Sequence, residues 1–367
     1  MPVYKIFAEK DATLYSDYVT MNTGMDAILE LTKNSSVNYQ SQSSAARILI
    51  KFSDYDISEV VSKYVGTKDF KAYLRLFLAN ATALPTDYTI EAYPISGAWD
   101  MGVGRFGDIP INTSGVSWKY RSSGGTEEWE TSSFGPYVTA SYTEENPGGG
   151  VWYVNTTTSQ SFGVYTDKDV NIDVSDIVKQ HVSGTIPNNG IIIKTSGSLE
   201  FNPAYNYILN YFSRDTNTVY PPVLELMWND SIYNVPTSSK YTPVTNQDIN
   251  VSISNNKGEF SEKEIYRFRL NVREQFPTRT FSTSSLYTAP KYLPSSSYYA
   301  IKDAKSDINV VNFDENYTRI SADSQGNYFD VYMYGLEPER YYKILIKTQI
   351  SGSTIIYDNR YFFKVKE

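Results

Sequence analysis

The chain has 367 residues, with 33 Lys and Arg against 41 Asp and Glu and a net charge of −8. That length holds two domains with cores of their own, and an acidic chain with no Lys/Arg run longer than two offers no phosphate-tracking groove, so direct nucleic-acid binding is not expected. Cysteine is absent, which excludes a disulfide framework, a thiolate metal site and a cysteine nucleophile.

The apolar residues are weighted towards strands. There are 33 Tyr and 17 Phe, set among abundant Ser, Thr, Asn and Val. Tyrosine suits half-buried sheet faces because its ring packs while its hydroxyl stays wet. The opening MPVYKIFAEKDATLYS carries Lys5, Glu9 and Lys10 without a long apolar core, so it does not read as a signal peptide. No window approaches the length of a membrane helix, and no membrane partner is expected.

Strand-like runs begin at Val3–Ala8 and continue through Ala27–Leu31, Ala46–Phe52, Lys71–Leu78 and Thr89–Pro94. In Ala46–Phe52, Ile48, Ile50 and Phe52 alternate with Arg47, Leu49 and Lys51, which predicts a strand with one wet side. Helical patterning is confined to Ile57–Tyr64 and Val174–Val182. Further strands are expected at Phe162–Tyr165, Asn171–Val174, Gly190–Thr195, Tyr207–Phe212 and Val223–Trp228. Asn188-Asn189-Gly190 supplies the positive-φ residues of a tight turn before Ile191–Ile193.

From about 97 to 170 the strand pattern loosens. Trp99, Trp118, Trp129 and Trp152 fall there with many glycines, including Gly148-Gly149-Gly150. An aromatic-studded insertion reads as an ordered surface subdomain and a candidate contact surface. The four tryptophans are therefore the candidate ligand or partner contacts, with packing of the insertion itself as the plainer use.

A linker is expected at 231–246, where Pro, Ser, Thr and Asn replace apolar periodicity. Beyond it, Ile249–Ser254, Tyr266–Val272, Tyr298–Lys302, Val310–Phe313, Arg319–Ala322, Phe329–Tyr334, Tyr342–Thr348 and Tyr357–Val365 form a second strand set. The cadence of Phe329–Tyr334, the turn Gly335–Glu339 and the next strand resembles immunoglobulin-like or fibronectin-like sandwiches. The expected plan is all-β: a jelly-roll-like sandwich over 1–230 and an Ig-like sandwich over 247–367.

Motifs that could carry chemistry are weak. Gly102, Gly104 and Gly107 have the spacing of a dinucleotide fingerprint, but no helix pattern follows, so a glycine-rich loop is expected. The single histidine, His181, cannot build a multi-His metal site and has no GxSxG elbow to serve. Glu127, Glu128, Glu130, Glu144 and Glu145 could pair as glycosidase acids, yet neighbours on a strand point to opposite faces. Asp167-Lys168-Asp169 offers oxygen ligands without the regular spacing or bracing glycine of a calcium loop. Sequons at Asn34, Asn80, Asn112, Asn155, Asn229, Asn250 and Asn316 follow from a composition rich in Asn, Ser and Thr. No catalytic residue, metal site or cofactor is expected.

In chain order, several segments resemble the DNRLRE-type β-sandwich family over residues 1–230. They are Asp11-Ala12-Thr13-Leu14 with Asn22-Thr23-Gly24, Ala46–Phe52 with Ile57-Ser58, and Trp99 with Ser117-Trp118. Asp173–Val178 with Asn188-Asn189-Gly190, and Phe212-Ser213-Arg214 with Pro221-Pro222, complete the set. Asp215-Thr216-Asn217-Thr218 departs from the family's acidic-asparagine signature, and the region 100–170 is longer than the plain module. The variant with this insertion looks most like virion structural proteins of tailed phages, marine myoviruses in particular. That resemblance implies a noncatalytic capsid, neck or tail accessory protein, assembled in the host cytoplasm into the virion beside other virion proteins in many copies. A carbohydrate-binding adhesion module that contacts surface glycans is the alternative it implies. An enzyme such as a polysaccharide lyase or hydrolase finds support only in scattered acids.

Overall fold

A computed structural model describes residues 3–34, 44–122, 125–129, 137–139, 148–200, 202, 204–234, 241–277 and 290–367. The protein is all-β, with a few short helices between its strands. It divides into two compact units. One comprises Ile6–Gly66 and Lys71–Glu225, the other Met1–Lys5, Thr67–Phe70 and Leu226–Glu367.

The first unit is built on an 11-stranded sheet. Its main path runs Val170–Asp173, Phe70–Leu76, Val223–Trp228, Val3–Tyr15, Ser44–Phe52, Ile191–Thr195, Tyr88–Pro94 and Thr158–Phe162. Off that path, Tyr207–Phe212 pairs with both Ile28–Asn34 and Leu78–Thr82. The two ends of the path meet through one side chain. Gln160 donates from Nε2 to the Asp169 carbonyl, and its Oε1 accepts from the Asn171 N–H at 2.6 Å. The sheet is thereby curled back on itself.

Ser44–Phe52 is the central strand. It is bonded antiparallel to Val3–Tyr15 on one side, with Asp11 opposite Ile50, and to Ile191–Thr195 on the other, with Ile191 opposite Ile50. The expectation of one wet face is corrected here, because nearly every residue of the strand is buried. Leu49 belongs to a cluster that includes Trp99, Trp118, Trp129 and Trp152. The tryptophan-rich insertion covers the face that alternation assigned to water.

The two expected helices form. Asp54–Val60 starts where Ser53 Oγ accepts the Asp56 N–H, with Asp54 and Asp56 in the first turn, and it continues into a wider turn over Val61–Val65. Ser175–Val182 is fastened by Ser175, whose Oγ accepts the Ala72 N–H at 2.9 Å, and it buries Ile177 and Val178. A short helix over Gly197–Glu200 has no counterpart in the sequence reading.

The second unit is a two-sheet sandwich. One sheet orders Ile249–Ile253, Ile265–Glu274, Gly326–Tyr332 and Ser321–Asp323, and the other orders Glu259–Ser261, Ser353–Lys366, Tyr341–Ile350, Ser297–Asp303 and Asn309–Val311. This is the strand order of an immunoglobulin-like sandwich, and Tyr342 Oη donates to the Glu337 carbonyl at 2.9 Å as a tyrosine corner does. Without cysteines, an aromatic stack joins the sheets: Tyr299 lies 4.4 Å from Phe329, and Phe268 lies 5.5 Å from Phe329 and 5.8 Å from Phe363.

The segment expected as a linker, 231–246, is part of this sandwich in its described portion. Tyr233 bridges to Ala322, and Thr242–Pro243 pairs in parallel with Lys291–Tyr292. The N-terminal Val3 belongs to the same core, and Tyr4 stacks on Tyr334 at 4.9 Å. Main-chain pairing satisfies groups here that apolar periodicity cannot report.

Candidate functional site

All four tryptophans singled out from sequence are buried, each with at most 5% of its surface exposed. They sit together in the first unit with Ala12, Leu14, Leu49, Ile95 and Ile192. Trp99 Nε1 donates to the Asn189 carbonyl at 2.8 Å, and Trp129 Nε1 donates to the Ser117 carbonyl at 3.0 Å. The expectation that they present ring faces to a ligand or partner is corrected: the insertion folds them against the central sheet, where burying an indole removes far more apolar surface from water than exposing it would allow.

A residue that alternation placed outside lies at the centre of this cluster. Arg47 is 1% exposed. Its Nε donates to Glu200 Oε1 at 2.6 Å, Nη2 to Glu200 Oε2 at 3.1 Å and Nη1 to the Gly149 carbonyl at 2.6 Å. The guanidinium carbon lies 4.8 Å from the Trp118 ring centre and 5.2 Å from that of Trp152. Lys194 Nζ stands 3.6 Å from Glu200 and 3.1 Å from Glu91 and also donates to the Thr195 carbonyl. A planar guanidinium bonds a carboxylate at two points and stacks on indole at the same time, which a lysine in that place could not do. This network holds a core together and leaves no free base or nucleophile.

The glycine spacing near residue 104 serves packing. Asn22, fully buried, donates from Nδ2 to the carbonyls of Met101 at 2.7 Å and Val116 at 2.8 Å. Its Oδ1 accepts the Gly104 N–H at 2.7 Å. A Cβ on Gly102 would come within 2.3 Å of Asn22 Oδ1, so the glycine permits the close approach of the loop to that side chain.

The remaining candidates separate from one another. His181 Nε2 is buried without a hydrogen-bond partner, and burial pushes its imidazole down to about 4. Glu127 pairs with Arg121 and Glu128 with Lys119, while Glu130, Glu144 and Glu145 lie outside the described residues. The Lys168 ammonium occupies the turn considered for calcium, donating to the carbonyls of Gly163 and Thr166. No group of His, Asp and Glu among the described residues is placed to hold a metal ion.

A cleft with a volume of about 490 Å³ opens in the first unit. Tyr15, Tyr18 and Phe106 line it together with Glu30, Thr32 and Asn206. Tyr18 and Phe106 are about half exposed. None of these residues was singled out from sequence, because Phe106 reaches the cleft from the insertion while Tyr15 and Glu30 come from the opening strands and Tyr18 from the turn after the first of them.

No family model and no curated protein matches the chain. Among solved structures it is similar to the crystal structure of Parabacteroides merdae beta-glucuronidase, at 11% identity and a TM-score of 0.14. That match covers 81% of this chain and spans only 28% of the other, and a likeness so slight carries no argument.

Proposed function

We propose that this protein is a noncatalytic structural component of a tailed-bacteriophage virion, a capsid, neck or tail accessory protein that docks on other virion proteins in many copies. The sequence resemblance over residues 1–230 supports the virion assignment. The observation that carries the noncatalytic part is the use made of the chemistry-bearing residues in the first unit. Arg47, Glu200, Lys194, Asn22 and the four indoles are consumed in internal bonds that stiffen a scaffold. Compact units of this kind suit multivalent docking, in which modest interfaces repeated over a particle add up to firm attachment.

The alternative, glycan adhesion by indole stacking, requires exposed indoles and loses its support with their burial. Mass spectrometry of purified particles from the phage that encodes the chain, with cross-linking to name its neighbours, tests the proposal. Stoichiometric recovery with cross-links to a capsid, neck or tail protein supports it. Absence of the chain from washed, infectious particles sinks it.

A further inference from the structure

The cleft beside Ile28–Asn34 has a composition that points to one kind of guest. Tyr15, Tyr18, Tyr207 and Phe106 supply four rings, and Glu30 supplies a carboxylate beside Asp17, which has a partner of its own, while no Lys, Arg or His lines it among the described residues. The Phe106 ring centre lies 5.2 Å from Tyr15 at 56° and 5.7 Å from Tyr18 at 87°. Rings set so steeply make a corner of π faces and edges. A saccharide ring stacks best on a flat, open face, whereas a compact cation is drawn to several ring faces at once.

Electrostatics favour the same guest. Tyr15 shares a hydrogen bond with the Glu30 carboxylate, and burial raises the carboxyl of Glu30 above its ordinary range. Asp26 accepts the Phe106 N–H at 3.0 and 3.2 Å, and its carboxyl is pushed up to about 6, chiefly by burial with Glu30 and Asp108 adding to it. Arg105 is the cation acting on Asp26, and it opposes that rise. A positive charge in the cleft would relieve Glu30, which lines it and is coupled to Asp26.

We propose that this cleft binds an alkylammonium group, with Glu30 as counter-charge and Tyr15, Tyr18 and Phe106 as the aromatic walls. The inference stands on the cleft alone and is independent of any role in a particle. Titration calorimetry of the full chain with n-butylammonium, N-acetyl-lysine amide, the neutral isostere 1-pentanol and maltose tests it. Saturable millimolar binding of the ammonium probes is expected, with 1-pentanol weaker by about tenfold. Phe106→Ala and Glu30→Gln should each weaken the ammonium probes by roughly fivefold to tenfold. Phe106 is half exposed, so its variant keeps the test valid should the Glu30 variant unfold. Tighter binding of the lysine amide assigns the source to a protein side chain, and tighter binding of butylammonium assigns it to a free amine. Equal binding of 1-pentanol, preference for maltose, unchanged affinity in Phe106→Ala, or no saturable binding overturns the proposal.

Discussion

Replacing Glu200 by Leu is the sharpest probe of the first unit. It leaves two buried cations, Arg47 and Lys194, with Glu91 as the remaining carboxylate paired in the network among the described residues. Both side chains of the Arg47–Glu200 pair are almost wholly buried, at 1% and 3% exposure, so solvent cannot take over for the lost carboxylate. Breaking a buried pair by removing one partner costs about 3–5 kcal/mol. For a unit of this size that lowers the melting temperature by roughly 6–20 °C. Adding Arg47→Met to Glu200→Leu removes the orphaned charge and restores the balance of Lys194 with Glu91. It leaves the Gly149 carbonyl without its donor, a loss of about 1–3 kcal/mol. The double variant should therefore melt above Glu200→Leu alone. Scanning calorimetry of the full chain measures all three proteins. Loss of less than about 1 kcal/mol in Glu200→Leu, or simple additivity in the double variant, refutes a coupled buried pair.

Three further outcomes follow from the same structure. Asn22→Asp sets a carboxylate against the Met101 and Val116 carbonyls, which should cost about 1–3 kcal/mol and open 101–116 to limited proteolysis; unchanged cleavage there means the loop does not depend on Asn22. Burial, with Asp215 adding to it, pushes the Asp11 carboxyl up to about 7, although the Arg214 N–H that it accepts at 2.7 Å pulls the other way. Folded protein then holds that proton more tightly than the unfolded chain does, so unfolding free energy should fall as pH rises from about 4 to about 7. Asp11→Asn should flatten that decline, and an identical pH profile in the variant would falsify the assignment. Tyr342→Phe deletes the corner bond to Glu337 and should destabilise the second unit by about 1 kcal/mol in chemical denaturation, with no effect on the ammonium titration.

Strand positions were legible because their signals are local. Tyr207–Phe212 and Val223–Trp228 form where the sequence pattern places them. Of Asn188-Asn189-Gly190 only Gly190 takes the expected positive φ, just before Ile191–Thr195, and the Ser53 cap was not read from the sequence. Partners distant in sequence were not. Arg47 and Glu200 are 153 residues apart, and Arg47 and Gly149 are 102 apart. Alternation along Ala46–Phe52 reports two faces but cannot say that a loop-rich insertion will cover the second one. The cleft was invisible for a similar reason, since Tyr15, Glu30 and Phe106 come from segments distant in sequence and meet only in the fold.

Gly148-Gly149-Gly150 shows how the same composition can mean opposite things. Taken locally, three glycines suggest a loose loop. In the fold each has a positive φ, and each stands where a side chain would collide: a Cβ on Gly148 would lie 2.3 Å from the Trp118 carbonyl, one on Gly149 2.5 Å from Arg47 Nη1, and one on Gly150 2.7 Å from Ile192 Cδ1. The Gly149 N–H donates to the Trp118 carbonyl while its own carbonyl accepts from Arg47, so the backbone is fixed on both sides of one residue. Glycine appears here because the chain must pass close to an indole and a guanidinium while taking φ values that side chains oppose. The buried arginine and the triple glycine are thus parts of one device: the charge that alternation placed in water needs a bare carbonyl to bond, and only a strand-free, side-chain-free segment can bring one to it.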